Sequence, residues 1–369
     1  MSGIRFMAVE YRPYRARRIL NIHRHVDGGW FWDRYSAHPY VGCEHGCEFC
    51  YSRSRKYLQA DNPEDFSRII KVKTNAPEQL RNELSKVPRD IIVTGDYQPA
   101  EGRFKLSRKI LEVIRDLNFP VHVVERSPLV LRDLDILQEI NKRSWVCVSI
   151  SITTLDDKLT RIFEPKASAP NSRLRAMKKI SEAGILTGTA LMPVLPYLTD
   201  SDTTFEEIVG STAENGGRYV LAGGGLALDD DVKTRYMKLI QGHFPSLVEK
   251  YDELYSSEDR LRRYAAAVGK KIATLCEKYG IADRIPRYIP DSLLKRNKEI
   301  SAALFDRVYR LGLELENPHK IWAYRKAAWA VEELQENIEE LHRSGRLEEV
   351  PGVGKTLAAE IGKMLEGSS

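Results

Sequence analysis

The 369-residue sequence predicts an α/β chain in which a partial (β/α)6 parallel barrel is followed by a small all-α module. Three observations predict it. Six β-rich runs alternate with helical patterns between residues 37 and 228; helical patterns take over beyond residue 229; and a glycine hairpin, Pro351-Gly352-Val353-Gly354, interrupts the helices near the end. Repeated βα units build parallel sheets, and barrels of this kind carry their active residues on loops at the C-terminal ends of strands. Six units fall short of the eight that close a barrel in about 250 residues, so one side should stay open and admit a bulky substrate.

The expected strands are Ala37–Val41, leading into a cysteine loop, then Asp90–Thr94, Pro120–Val124, Trp145–Ile152, Ile185–Val194 and Arg218–Ala222, the second to fourth richest in β-branched residues. Between them Ala76–Val87, Lys105–Leu117, Leu129–Lys142, Asn171–Ala183 and Thr204–Glu214 space their apolar residues as helices do. Val232–Gln241, Leu247–Leu254 and Asp259–Tyr279 extend the helical pattern. The expected division is a basic N-terminal arm over 1–36, the partial barrel over 37–228, a helical cover over 229–299 and a terminal module over 300–369.

Composition narrows the setting. There are 57 Lys and Arg against 52 Asp and Glu, a formal charge of +5, and no apolar run approaches the roughly 20 residues of a membrane span. Five cysteines, three of them clustered, are no disulfide framework, and a reducing, cytoplasmic setting suits thiolate ligation. Residues 1–25 hold six arginines against one acid, a segment that either contacts an anion or is simply solvated.

Gly42-Cys43-Glu44-His45-Gly46-Cys47-Glu48-Phe49-Cys50 offers three thiolates, the soft ligands of an iron–sulfur cluster, and leaves a fourth iron open. Cys147 and Cys276 stand apart in apolar stretches as buried thiols. Zinc bound by Cys43, Cys47, Cys50 and His45 is the alternative, although His45 lies awkwardly between two of the cysteines.

The C-x3-C-x2-C spacing, with Phe49 before the third cysteine, resembles the radical S-adenosylmethionine (radical SAM) enzymes. The resemblance implies a [4Fe-4S] cluster at Cys43, Cys47 and Cys50, with S-adenosylmethionine chelating the open iron. It further implies an electron donor such as flavodoxin or ferredoxin and a 5′-deoxyadenosyl radical that abstracts hydrogen from substrate. His38-Pro39-Tyr40-Val41-Gly42-Cys43, Lys73-x-Asn75 with Pro77-Glu78, Thr94-Gly95-Asp96-Tyr97-Gln98-Pro99-Ala100-Glu101, and Glu164-Pro165 with Arg173-Leu174 look like the spore-photoproduct-lyase-like branch. Those enzymes return a hydrogen atom from a cysteine just before the threonine and aspartate; Val93 stands here, so that repair cycle does not carry over unchanged.

Several cofactor-binding assignments come with the resemblance. Asp96 accepts from the cofactor's ammonium or serves as a turn residue; Phe49 lies against the adenine. Ser149 and Ser151 alternate with Thr153 on one face of the fourth strand and offer hydroxyls to a ribose or fill the barrel. Glu164 and Arg173 contact cofactor or substrate, or pair with each other; Lys73 and Asn75 face the same mouth. Tyr51 and Tyr97 are candidate radical relays, and Gly223-Gly224-Gly225 allows close approach of a ligand or makes a tight turn.

Asn317-Pro318-His319-Lys320-Ile321-Trp322 and the stretch from Gly345 through Pro351-Gly352-Val353-Gly354-Lys355 look like the small N-terminal domain of family X DNA polymerases, whose helix-hairpin-helix turn aims backbone N–H groups at a phosphate. Gly352, Gly354, Lys355, Lys320, Arg325 and Lys326 are the implied nucleic-acid contacts. Residues 301–369 carry nine Lys or Arg against twelve Asp or Glu, so contact must be local. Glu360 occupies the position of the imine-forming lysine, so the module should hold nucleic acid without cleaving it. The expected activity is a lyase-like DNA repair or processing reaction, the alternatives being modification of an RNA base or a non-catalytic cluster in a nucleic-acid-binding protein.

Overall fold

The computed structural model describes residues 8–28, 30–58, 62–228 and 230–367. They form two compact units: one combines the chain up to His23 with Asp33–Ile285, and the other joins Arg24–Trp32 to the chain from Pro286 onward.

The strands of the first unit are β1 (Glu10–Tyr14), β2 (Leu20–Ile22), β3 (Tyr35–Ala37), β4 (Tyr40–Val41), β5 (Ile69–Lys73), β6 (Ile92–Gly95), β7 (Val121–Glu125), β8 (Val146–Ser151), β9 (Leu186–Leu191) and β10 (Val220–Ala222). Among the described residues, a seven-stranded sheet runs β10-β9-β8-β7-β6-β3-β2, parallel except for β2, which pairs antiparallel with β3. Five of its six parallel strands, β6 to β10, coincide with expected strands, and the sixth, β3, shares only Ala37 with the first expected one. The helices are α1 (Arg55–Leu58), α2 (Ala76–Leu84), α3 (Ala100–Phe104), α4 (Leu106–Leu117), α5 (Leu134–Arg143), α6 (Asp157–Phe163), α7 (Pro170–Glu182), α8 (Asp202–Glu214), α9 (Asp230–His243), α10 (Val248–Leu254) and α11 (Glu258–Lys278).

Parallel strands buried on both faces read as continuous apolar runs, and β8 is buried at every residue. Val146, Val148 and Ile150, with Val121 and Val123, pack against Ile110, Ile114, Ile136, Ile140 and Met177 of the helices. The other face is small and polar: Val93 pairs with His122, His122 with Cys147, and Val124 with Ser149 and Gly188 in turn. Tyr219 lies across it, and a Cβ on Gly188 would fall 2.8 Å from its ring.

Two departures concern the site. The expected strand Ala37–Val41 is broken at Pro39, which has no N–H to donate: Tyr35–Ala37 joins the large sheet, whereas Tyr40–Val41 pairs antiparallel with β5 in a separate sheet ordered β1-β5-β4. The expected basic arm over 1–36 carries β1, parallel to β5, and β2, and it runs into β3. No helix among the described residues is long and apolar enough to cross a membrane.

The second unit holds α12 (Lys295–Leu313), α13 (Pro318–Glu333), α14 (Ile338–Arg343) and α15 (Lys355–Glu366). Asn317 caps α13, with Pro318 at its first position, and Asn337 caps α14. This compact unit takes in the chain from Pro286: Arg287 donates to both oxygens of Glu332 at 2.5 and 2.6 Å, Trp32 of the segment 24–32 packs against Phe305, and the Val26 carbonyl of that segment accepts the Trp329 Nε1–H at 3.0 Å.

Candidate active site around the cysteine loop

The loop from Gly42 to Cys50 comes directly after β4 and is fastened at several points. Gly42 and Gly46 adopt positive φ, +85° and +67°, which turn the chain where a side chain would be strained. Cys43 N–H donates to Phe66 O at 2.8 Å and Glu48 N–H to Phe163 O at 2.8 Å. Arg53 is buried and donates to the carbonyls of Gly46 and Cys47 at 2.6 and 2.7 Å, with its guanidinium 4.6 Å from the Phe66 ring centroid. Gln98, fully buried, accepts from Glu44 N–H at 2.9 Å and donates to Gly42 O at 3.1 Å. A buried arginine and a buried amide thus satisfy backbone groups that would otherwise cost about 1–3 kcal/mol each.

Cys43, Cys47 and Cys50 lie within one another's electrostatic reach. Burial pushes the Cys43 thiol well above its ordinary value, and Cys47 and Cys50 raise it further. Burial likewise pushes Cys47 up to about 12, against the pull of Arg126. Thiols this reluctant to ionise together become thiolates when a cationic centre replaces their protons, so the donor set fits an iron cluster. Cys147 is buried in the sheet, its Sγ 3.0 Å from Tyr219 Oη, and Cys276 is buried on α11; neither joins the three.

A charged shell surrounds the loop. Arg126, immediately after β7, places its guanidinium 5.7 Å from the Phe49 ring centroid and feels all three cysteines and Glu164. Its Nη1 lies 3.1 Å from Glu164 Oε1. Arg173 pairs with the other Glu164 oxygen and donates to Ser151 O at 3.0 Å and Ser168 O at 2.9 Å. Burial raises the Glu164 carboxyl, but the two arginines outweigh it and the net shift is downward. Burial, then Arg126 and Arg173, push His45 down to about 4, so it sits neutral beside this shell.

The structure brings Asp96, Lys73 and the cysteines together. Asp96 follows β6 directly at φ +73°, and its Oδ2 lies 3.1 Å from His38 Nδ1. Lys73 Nζ donates to His38 O at 2.8 Å; burial lowers its pKa while Asp96 opposes that shift. Tyr51 comes directly after Cys50, is 60% exposed and meets the Tyr57 ring edge-on at 5.3 Å between centroids.

The remaining expected site residues are engaged with other groups of the protein. Ser149 Oγ is committed to His122 Nε2 at 2.7 Å and Tyr219 Oη at 2.6 Å, within the sheet. Asn75 uses both ends of its amide on Ala16, accepting from its N–H at 2.8 Å and donating to its O at 2.9 Å. Tyr97 is 1% exposed and packs into the helix layer, because the positive φ at Asp96 turns the chain over. Ser151 contributes its carbonyl to Arg173, while Thr153 is buried beside Glu164 and helps hold its carboxylate charged. Phe49 is buried in an apolar cluster with Phe163 and Tyr236. Gly224 serves helix packing, since a Cβ there would meet Ala265 Cα of α11 at 2.5 Å. Glu164 and Arg173 form the buried ion pair that the sequence left open.

Glu125 was not singled out by its sequence. Its Oε1 accepts the Tyr97 N–H at 3.1 Å, and burial, reinforced by Asp96, pushes its carboxyl from 4.5 up to about 8. A carboxyl raised on folding stabilises fully below its unfolded value, and that stability is lost as pH rises through 8. Unfolding free energy of the cluster-free protein should therefore fall between about pH 5 and 8, by at most about 1.4 kcal/mol per pH unit, and Glu125→Gln should flatten the slope in denaturant titrations.

In the second unit the hairpin between α14 and α15 turns at Gly352, φ +79°, with Val353 N–H donating to Val350 O at 2.9 Å. Gly354 caps α15 without a side chain, leaving an exposed helix N-terminus beside Lys355. A Cβ on Gly352 would sit 3.6 Å from the Cβ of exposed Lys326, so both lysines flank one turn. Arg325 is half-buried, and Lys320 is occupied by Glu316 at 2.9 Å. Glu360 accepts from Tyr324 Oη–H at 2.5 Å.

Residues 38–208 match the radical SAM superfamily and residues 295–369 match a helix-hairpin-helix domain. An uncharacterized protein of Mycobacterium tuberculosis is 31% identical over 257 residues, 68% of this chain and 75% of that one. One of Methanocaldococcus jannaschii is 31% identical over 180 residues, 48% and 66% of the two chains. Among solved structures, a spore photoproduct lyase mutant with bound AdoMet and dinucleoside spore photoproduct has a TM-score of 0.48 at 16% identity, covering 75% of this chain and 82% of that one. The chain belongs to the radical SAM superfamily, whose membership implies a [4Fe-4S] cluster and S-adenosylmethionine as its cofactors.

Proposed function

We propose that this protein is a radical SAM enzyme acting on nucleic acid, with DNA lesion repair or processing as its reaction. The observation that carries the proposal is the union, in one chain, of a three-thiol loop with an exposed glycine hairpin at a helix N-terminus. Cys43, Cys47 and Cys50 would hold the cluster, and Asp96 would accept from the ammonium of S-adenosylmethionine. When bound, these cofactors supply a 5′-deoxyadenosyl radical, given an electron from a small donor such as flavodoxin or ferredoxin.

The protein's own groups set the conditions for that chemistry. Arg126 balances the negative charge of the thiolate set, and Arg53 and Gln98 keep the loop from relaxing. Val93 on the inner face carries no labile hydrogen, so the hydrogen returned to a product radical would come from another group; exposed Tyr51 is a candidate, its phenoxyl radical then taking one electron from the same small donor and one proton from solvent. A duplex target would be extruded at a cost of a few kcal/mol, least for a damaged base. Glu360 cannot form an imine, so the hairpin module acts in binding.

Deuterium-labelled oligonucleotides incubated anaerobically with S-adenosylmethionine and reductant test this directly. The proposal expects deuterium in 5′-deoxyadenosine from DNA carrying the target lesion. Deuterium arriving only from structured RNA would make the substrate RNA, and none from any nucleic acid would remove the proposal. Lys326→Ala with Lys355→Ala is expected to weaken DNA binding about 10-fold or more near 0.1 M salt and to lower the salt slope by about 2, measured by fluorescence anisotropy.

A further inference from the structure

The loop joining β1 to β2 in the first unit is polar and outward-facing, yet it is held with unusual firmness. Thr74 N–H donates to Tyr14 O at 2.9 Å, and Thr74 Oγ1–H reaches the same oxygen at 3.1 Å. Asn75 clasps Ala16 at both backbone groups, and Glu83 Oε2 accepts from the N–H groups of Ile19 and Leu20 at 3.1 and 2.8 Å. Ile19 and Leu20 are buried, but Arg15, Arg17 and Arg18 all project into solvent.

The charge of this bracket is poorly neutralised. Arg15 meets Glu78 at 3.2 Å with side chains 72% and 66% exposed, a contact worth about 0–1 kcal/mol and easily exchanged. Arg17 and Arg18 have no acidic partner among the described residues. Ordering a loop costs roughly 1–2 kcal/mol per residue, so three side chains spent on its backbone favour a preset display of guanidinium groups. Such groups match phosphate oxygens bidentately.

Its position relates the bracket to the chemistry. Tyr14, which precedes Arg15, pairs in register with Lys73, whose ammonium lies beside Asp96, and Asp96 in turn lies in the field of Cys43. A strand crossing the bracket would run along the rim of the mouth.

We infer that Arg15, Arg17 and Arg18 form a phosphodiester-backbone contact that lays a nucleic-acid strand along the mouth of the barrel. This rests on the proposed action on nucleic acid and names the surface of the first unit that receives it. It accounts for Asn75: a residue expected at the cofactor holds the arginine bracket instead.

The test uses the full chain and a fluorescein-labelled duplex of about 20 base pairs, with a single strand of the same sequence in DNA and RNA forms. Binding is measured by anisotropy across about 50–300 mM salt. Arg17→Ala with Arg18→Ala should weaken binding about 10-fold or more near 100 mM and reduce the slope of log Kd against log salt by about 2, while Arg17→Lys with Arg18→Lys retains most of the slope. Both sites are exposed, and an unchanged thermal midpoint confirms folding. If the wild type binds with a salt slope that the alanine variant fully keeps, the bracket is not a phosphate contact, and the nucleic-acid reading stands. If the wild type binds neither DNA nor RNA, both readings fall together.

Discussion

Cys47→Ala is expected to abolish cluster assembly while leaving the fold standing. Cys47 is 5% exposed and packs with Phe49 and Phe163, so removing its sulfur leaves a small gap that costs about 1–2 kcal/mol. The cluster, by contrast, has no replacement ligand: Cys147 is engaged with Tyr219, and Cys276 is buried on α11. Anoxic reconstitution should fall from about four irons per chain to below about one, and 5′-deoxyadenosine formation should drop to background. Cys276→Ala should retain both. Full iron in the Cys47 variant would mean that the three cysteines are not the ligand set.

Gly42→Ala should act through the backbone and reach the same site. Its φ of +85° costs an L-residue about 1–2 kcal/mol, and the new Cβ would lie 2.7 Å from Ile69 O and 2.9 Å from Phe66 O. Both neighbours are backbone, so neither can swing away. Phe66 O is also the acceptor of the Cys43 N–H, and pushing it outward moves the first cysteine. A loss of about 3 kcal/mol or more in denaturant unfolding is expected, together with reduced iron retention. Gly46→Ala is the control: its φ is +67°, but the nearest atom to a Cβ is Ser67 Cβ at 3.4 Å, so it should cost only about 1 kcal/mol. Equal effects at the two glycines would contradict the packing at Gly42.

Features were legible in the sequence according to the range of the interactions that make them. Five of the six parallel strands, β6 to β10, and their helices were legible because period-2 and period-3.6 patterns are local, and α4 shows it: Ile110, Leu111, Val113 and Ile114 are buried as the spacing requires, with Asn118 at φ +63° ending the helix. The three-cysteine loop was legible because residue type and short spacing carry thiol chemistry, while a cofactor contact at Asp96 is a proposal. Gln98 and Arg126 were not, since each acts on groups distant in sequence, and Arg53 was not because its bonds to the Gly46 and Cys47 carbonyls follow no regular period. Tyr97, a candidate radical relay by its sequence, is buried at 1% exposure in the core that α4 and α5 cover, just after the αL residue Asp96, whose positive φ interrupts the alternation that a strand pattern assumes. The β1-β5-β4 sheet escaped because its pairing joins Glu10 to Ile69 and the edge strand is mostly polar.

The central claim is that Cys43, Cys47 and Cys50 hold a cluster with one iron left for S-adenosylmethionine. Electron paramagnetic resonance of the anoxically reconstituted, dithionite-reduced protein, recorded before and after adding S-adenosylmethionine, tests it most directly. The predicted result is a reduced [4Fe-4S] signal whose shape changes when S-adenosylmethionine is added, and then 5′-deoxyadenosine in the same tube. A cluster whose spectrum ignores S-adenosylmethionine, or a metal fully ligated by protein atoms, would contradict the account.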